Sequence, residues 1–305
     1  CVVEVVGARN LVASCAMPAE NNMVVLTDTE RVLKARRLVV ELLMTQGHHN
    51  CITCESSGDC VLQDLAYSLG VENPRFPEAE KVKPREDGNA MIVRDMNKCV
   101  LCGLCVRACN EVQVNQVLDY AGRGPHATVG PPFGQLYEQS NCVFCGECVR
   151  VCPVGALYEK QGRFQGRDKD LERVRNTCSY CGVGCQMDVR VKDNQIVKIT
   201  TPRSGAIAPN FGSLCIKGRF GYDYVGHPDR LKTPLIRRNG ELQEASWDEA
   251  IDYVAKKLGA IKGEHGPDAI AGLSSARCTN EENYLFQKFL RVVIGTNNVD
   301  HCARL

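Results

Sequence analysis

"CVLCGLCVRAC" occupies positions 99–109 and "CVFCGECVRVCP" positions 142–153. Each run spaces four cysteines by two, two and three residues. They are Cys99, Cys102, Cys105 and Cys109, then Cys142, Cys145, Cys148 and Cys152, with Pro153 directly after. Thiolates on one short turn can converge on metal. The C-x2-C-x2-C-x3-C spacing is that of chains holding two 4Fe-4S clusters, in which the fourth cysteine of each run serves the other cluster. The reading therefore assigns Cys99, Cys102, Cys105 and Cys152 to one cluster, and Cys142, Cys145, Cys148 and Cys109 to the other. Two zinc sites are the rival and fit the interleaved spacing poorly. The stretch between the runs, "GRGPHATVGPPFGQ" at 122–135, is rich in Gly and Pro and predicts a loop.

Moving toward the N-terminus, "HHNCITCESSGDC" at 48–60 supplies Cys51, Cys54 and Cys60 with two adjacent histidines. Three cysteines and one histidine can hold one cluster, with a structural zinc as the alternative. Before it, "TDTERVLKARRLVVELLMTQG" predicts a helix opened by a Thr27/Glu30 capping box and ended at Gly47. Its apolar face reads as Val32, Ala35, Leu38, Val39, Leu42 and Leu43. "CVVEVVGARNLVASC" at 1–15 reads as a hairpin framed by Cys1 and Cys15. Two cysteines cannot close a 2Fe-2S site, which needs four ligands, so two core thiols remain the alternative there.

Toward the C-terminus, "CSYCGVGC" places Cys178, Cys181 and Cys185, and "SLCIKG" adds Cys215 with Lys217 two residues on. A zinc ribbon is the alternative to a fourth cubane. "MDVRVKDNQIVKIT" predicts a hairpin turning at Asp193-Asn194. Beyond Pro234 the ligand spacing disappears. A helix capped by Ser246/Glu249 with Ile251, Val254, Ala255, Leu258 and Ile261 on one face comes first, followed by a buried strand in "DAIAGLSS". A second helix, capped by Thr279/Glu282 with Phe286, Phe289, Leu290 and Val293 inward, precedes a strand starting at "NNVD". That alternation is the grammar of a parallel α/β sheet, whose ligands bind beyond the strand carboxyl ends. The remaining Cys278 and Cys302 read as small core residues.

Composition fits this picture. The 305 residues suggest about two domains by length alone, and 44% of them are hydrophobic, enough to build cores without disulfide staples. Most of the nineteen cysteines fall in tight groups, which read as metal ligands rather than disulfides. With 37 basic and 36 acidic residues, nothing favours nucleic acid. No apolar run approaches the ~18 residues of a membrane span.

The order of these groups resembles the catalytic subunit of NAD-linked, cytoplasmic formate dehydrogenases of the molybdenum or tungsten bis-pterin family. The first ~165 residues are also similar to the large iron-sulfur subunit of respiratory complex I and to accessory domains of iron-only hydrogenases. The resemblance implies an α+β multidomain chain. Residues 1–28 would be the C-terminal part of a β-grasp 2Fe-2S ferredoxin-like domain, and 29–85 a one-histidine, three-cysteine 4Fe-4S domain. Residues 86–168 would be the two-cluster ferredoxin domain, 169–232 the 4Fe-4S domain of a molybdopterin oxidoreductase, and 233–305 the start of its α/β pterin-binding domain.

It further implies ligands. Cys1 and Cys15 match the third and fourth cysteines of the 2Fe-2S pattern. The mixed site's histidine often stands four before its first cysteine, where this chain has Gly47; His49 fits the pattern of hydrogenase relatives, with His48 as the alternative. Cys178, Cys181, Cys185 and Cys215 match the pterin-side cubane, and Lys217 the lysine bridging cluster and pterin. "SSARCTNEENYLFQKF" also resembles the family, with Thr279 to Tyr284 near the pterin dinucleotide. The implied cofactors are four 4Fe-4S clusters, one 2Fe-2S cluster and a molybdenum or tungsten bis-molybdopterin guanine dinucleotide. The implied partners are a flavin/NAD-binding diaphorase subunit and a small 2Fe-2S subunit, with ferredoxin or hydrogenase subunits as further candidates. The implied reaction is formate to CO2 or its reverse. A run like "NVDHCARL" at 298–305 precedes the metal-ligating selenocysteine or cysteine in this family. The expectation is a longer protein, with ligands before Cys1 and a UGA-encoded selenocysteine after Leu305. A complex I-like relay without pterin, an iron-only hydrogenase and a nitrate reductase-type enzyme are the competing readings.

Overall fold

The computed structural model describes residues 1–78 and 82–302. Residues 79–81, within the second expected domain, and 303–305, the end of "NVDHCARL", lie outside the described residues.

Val2–Val5 (β1) pairs antiparallel with Val12–Ala13 (β2) and Val25–Leu26 (β3), in the order β2-β1-β3. The partial β-grasp reading thus meets three short antiparallel strands. The helix Glu30–Thr45 (α1) is capped by Thr29, whose side chain accepts from Val32 N, and not by Thr27. Its buried positions are Val32, Val40 and Thr45, whereas Leu38, Val39 and Leu42 are exposed. The expected apolar face is therefore rotated. Arg36 ties one end of this face to the sheet, its guanidinium donating twice to Val2 O at 3.1 and 2.9 Å, and Val40 at the other end packs into the main core. Val61–Leu69 (α2) packs along α1 and ends at Gly70 in the left-handed region.

The main core follows. Arg85–Glu86 (β4), Ile92–Asp95 (β5) and Leu157–Glu159 (β8) form one antiparallel sheet with β5 central and buried throughout. Between β5 and β8 the two cysteine runs supply short helices, Leu104–Arg107 (α3) and Glu147–Val151 (α4). The stretch 122–135, expected as a loop, contains a strand, Thr128–Gly130 (β7), which pairs antiparallel with Asp119–Ala121 (β6) just before it. A buried ion pair ties this excursion down. Arg94 Nη2 lies 3.0 Å from Glu86 Oε2, Arg94 Nη1 donates to Val129 O at 3.1 Å, and Glu86 Oε1 accepts from Tyr137 N at 2.8 Å. Ile92, Met96, Val106, Leu118, Val129, Tyr137 and Cys105, Cys148 and Cys152 share one cluster of buried side chains.

Glu172–Thr177 (β9), Gln186–Lys192 (β10) and Gln195–Thr200 (β11) make a second antiparallel sheet. The β10–β11 turn falls at Asp193 and Asn194, both at positive φ (48° and 59°), as a tight two-residue hairpin requires. Ile216–Phe220 (α5) packs on β11. After the hairpin of Leu235–Arg238 (β12) and Glu241–Glu244 (β13) comes Trp247–His265 (α6), capped by Ser246 accepting from Glu249 N. Gly272–Ser274 (β14) and Val299–His301 (β15) pair in parallel across Asn280–Lys288 (α7) and a π-helical turn, Phe289–Ile294. Thr279 and Glu282 form a reciprocal capping box. Leu290 and Ile294 are buried, but Phe289 and Val293 are exposed, against expectation. They face α6, and with Trp247, Val254 and Leu258 they line an open apolar groove of about 430 Å³.

Candidate iron-sulfur and pterin-side site

The two ferredoxin-type runs use the same local geometry. Leu101 and Phe144 sit at positive φ (53° and 50°), and Gly103 and Gly146 follow at 75° and 71°. This left-handed pair curls each run so that a backbone N–H points back at sulfur: Leu101 N to Cys99 Sγ and Phe144 N to Cys142 Sγ, both at 3.4 Å. Val117 N donates to Cys109 Sγ at 3.4 Å.

The chain crossing brings the thiols into two groups. Cys99, Cys102, Cys105 and Cys152 line one small cavity. Cys109, Cys142, Cys145 and Cys148 line another, below Tyr137. Burial, reinforced by Cys152, Cys99 and Cys102, pushes the Cys105 thiol up to about 12. Burial likewise pushes Cys142 and Cys152 up to about 11, and Cys148 well above the ordinary thiol range. Four thiolates facing one cavity are stable only against a cationic core, which is the chemistry an iron-sulfur cluster offers.

The mixed group lies at the end of α1. Cys51, Cys54, Cys60 and His49 line a cavity of about 470 Å³ with Met44, Leu62, Val154 and Gly155. His48 is absent from that wall and pairs with Glu78 at 3.4 Å on the surface. His49 Nε2 is 3.3 Å from Leu43 O, so a proton on that nitrogen leaves Nδ1 free, the arrangement usual for a ligating histidine. Burial holds the His49 pKa below its ordinary value, favouring the neutral form that ligates. Position 47 has no room for a side chain, since a Cβ there would stand 1.9 Å from Asn97 O. Gly155 is constrained in the same way by Cys54 Sγ at 2.4 Å.

Cys1 lies opposite Ser14, the neighbour of Cys15, at the open end of the first hairpin, where Ser14 N donates to Cys1 O at 2.9 Å; both thiols are exposed. Cys178 and Cys185 are joined by a 2.7 Å bond from Cys178 N to Cys185 O. Burial raises the Cys185 pKa, with Cys178, Cys181 and Cys215 adding to it. Cys215 caps α5 and Lys217 stands on its first turn. Gly218 faces Cys178 Sγ, which a Cβ would approach to 3.3 Å. Among the described residues, no three His, Cys, Asp or Glu side chains close tightly enough to hold a single metal ion.

Cys278 and Cys302 are exposed rather than core residues. They lie in the loops past β14 and β15, where Cys302 Sγ is 3.8 Å from Ser275 Oγ. Sequence reasoning misses a buried group, Glu147 with Arg150 and Arg219, between the second ferredoxin run and α5. The available signal is a carboxylate inside "CGEC" and an arginine inside "KGRF", charged residues among metal ligands.

Four family models match the chain in succession. Residues 36–75 match the iron-sulfur binding region of NADH-ubiquinone oxidoreductase-G, and 89–158 the ferredoxin-like domain of NADH-quinone oxidoreductase subunit 3. Residues 171–227 match the molybdopterin oxidoreductase Fe4S4 domain, and 230–305 molybdopterin oxidoreductase. In order along the chain, these segments are thus similar to iron-sulfur domains of NADH-quinone oxidoreductase subunits and then to molybdopterin oxidoreductase domains.

Its curated relatives divide over function. The "NADPH-Fe(3+) oxidoreductase subunit alpha" of Geobacter sulfurreducens is 35% identical over 306 residues, and a G-type NADH-quinone oxidoreductase subunit of Rhizobium meliloti 36% over 306. "Putative formate dehydrogenase YrhE" of Bacillus subtilis is 35% identical over 346. Each match covers 100% of this chain and 35% of the relative, so the chain spans about a third of their length. Among solved structures, an NAD+-reducing NiFe hydrogenase is similar at 34% identity and TM-score 0.49, over 54% of this chain and 70% of that one. No helix among the described residues is long and apolar enough to cross a membrane.

Proposed function

We propose that the chain belongs to a formate dehydrogenase or CO2 reductase, in which it carries electrons from a molybdenum or tungsten bis-pterin site toward a flavin/NAD partner subunit. The observation that carries this reading is the seating of α5. Cys215 and Lys217 stand on a helix whose Arg219 hydrogen-bonds Cys145 O at 2.9 Å, so the pterin-side thiol group abuts the ferredoxin thiols.

When bound, the pterin metal supplies two-electron chemistry at the formate hydrogen, and each iron-sulfur cluster one-electron transfer. The chain's residues hold and shield these groups. Cys178, Cys181, Cys185 and Cys215 would hold the cluster nearest the pterin, and Lys217, two residues past Cys215 on α5, would offer its ammonium group to the anionic cofactor. The interleaved eight cysteines hold the next two clusters, excluded from water by Ile92, Val129 and Tyr137. His49 with Cys51, Cys54 and Cys60 holds a fourth, and Cys1 and Cys15 contribute to a 2Fe-2S site. Hydrogen bonds from Leu101 N, Phe144 N and Val117 N withdraw charge from the sulfurs.

A complex I-like relay without pterin chemistry is the second reading, favoured by the matches over 36–75 and 89–158. Formate-dependent dye reduction by the full-length protein, with pterin and metal content on the same sample, separates them. Formate turnover with molybdenum or tungsten bound supports the first. Intact clusters without pterin establish the relay.

A further inference from the structure

Glu147 opens α4 between Cys145 and Cys148 and is 0% exposed. Arg219, four residues past Cys215, is 3% exposed. Its Nη2 lies 3.7 Å from Glu147 Oε2, and its Nε donates to Cys145 O. The other carboxylate oxygen accepts from Arg150 Nε at 2.5 Å, and Arg150 Nη1 reaches Arg203 O at 3.0 Å and Pro202 O at 3.3 Å. Gly146 makes room for this, because a Cβ there would stand 2.2 Å from Arg219 Cδ. Glu159, held by Tyr222 Oη at 2.5 Å, is a further carboxyl facing Arg219.

Two guanidiniums around one carboxylate, out of water, are poor stabilisers compared with apolar packing. Their placement gives them another use. The pair joins a loop carrying three cysteines of one group to the helix carrying Cys215 of the next. It also sets the Arg219 guanidinium directly against Cys145, on its carbonyl oxygen, with the Glu147 carboxylate on its far side as counter-ion, in a medium where charge is weakly screened.

We propose that Arg219, with Glu147 as its counter-ion, is a positioning and potential-setting residue for electron transfer between the Cys142/Cys145/Cys148/Cys109 cluster and the Cys178/Cys181/Cys185/Cys215 cluster. This rests on the cluster assignments above. A fixed positive charge stabilises the cluster after it takes up one electron, so Arg219 raises its reduction potential and Glu147 lowers it.

The test is EPR-monitored potentiometry of the cluster-loaded full-length protein, with iron and sulfide content measured for every variant. Arg219→Gln moves one reduction step to lower potential by about tenfold in its equilibrium constant, ~59 mV for one electron. Glu147→Gln moves the same step upward, Arg219→Lys moves it less than Arg219→Gln, and the remaining steps hold. Opposite signs for the two partners distinguish charge from mere packing. If Arg219→Gln loses iron, Arg219→Lys and Glu147→Gln decide. Unmoved steps, or shifts of the same sign, in iron-replete variants overturn the proposal. A parent protein without iron-sulfur signals overturns the cluster assignments instead.

Discussion

The ferredoxin-like core and the closing α/β segment are built on opposite terms. In the core, β5 is buried along its whole length, and cysteine, apolar and charged side chains all turn inward. In the closing segment, the 19-residue α6 buries no residue, and its apolar face opens on a groove shared with Phe289 and Val293. A ligand spacing specifies what must converge, because four thiolates have to meet one small object. An apolar helix stripe specifies only that something covers it.

That contrast can be broken at the thiols first. Cys152→Ser should remove one cluster's iron, about four atoms per chain, and its EPR signal. Cys278→Ser, exposed past β14, should leave iron content unchanged. Equal iron in both variants would break the assignment of Cys152.

The packing comparison comes next. Ile92 is fully buried, so Ile92→Ala should destabilise by roughly 2–5 kcal/mol in denaturant unfolding. Ile251 is 59% exposed on α6, and Ile251→Ala should stay within about 0.5 kcal/mol in this chain. A large loss at Ile251 would mean that the groove is covered in solution.

The smallest effect is on pH. Cys105, Cys142 and Cys152 have folded-state pKa values raised to about 12, 11 and 11 by burial, above that of an unfolded thiol near ~8.5. Between those values the folded chain binds more protons than the unfolded one, so stability falls as pH rises. Chelator-stripped protein should lose stability from about pH 9 upward, and cluster-loaded protein, its thiolates already ligated, should not. Unfolding midpoints of both forms at about pH 8 and about pH 10.5, either side of the unfolded thiol value, check this.

Much of this is legible in the sequence. The Asp193-Asn194 turn, the Ser246 and Thr279 caps and the parallel β14–β15 pair follow from local chemistry. The α1 face is not, because Arg36, a polar residue in any periodicity count, turns inward to bond Val2 O. The 122–135 stretch reads as a loop because Gly and Pro mark turns without revealing that Thr128–Gly130 pairs across one. The buried Glu147–Arg219 pair is invisible because its members are 72 residues apart in sequence. Gly47 departs from the expected ligand position for a reason only packing shows: Asn97 O fills the space.

The central claim is that these thiols hold iron. Iron, acid-labile sulfide and zinc, measured on anaerobically purified protein, test it directly. Iron and sulfide are expected in near-equal amounts, at about four of each per cubane, with zinc at trace level. Stoichiometric zinc without labile sulfide would contradict it.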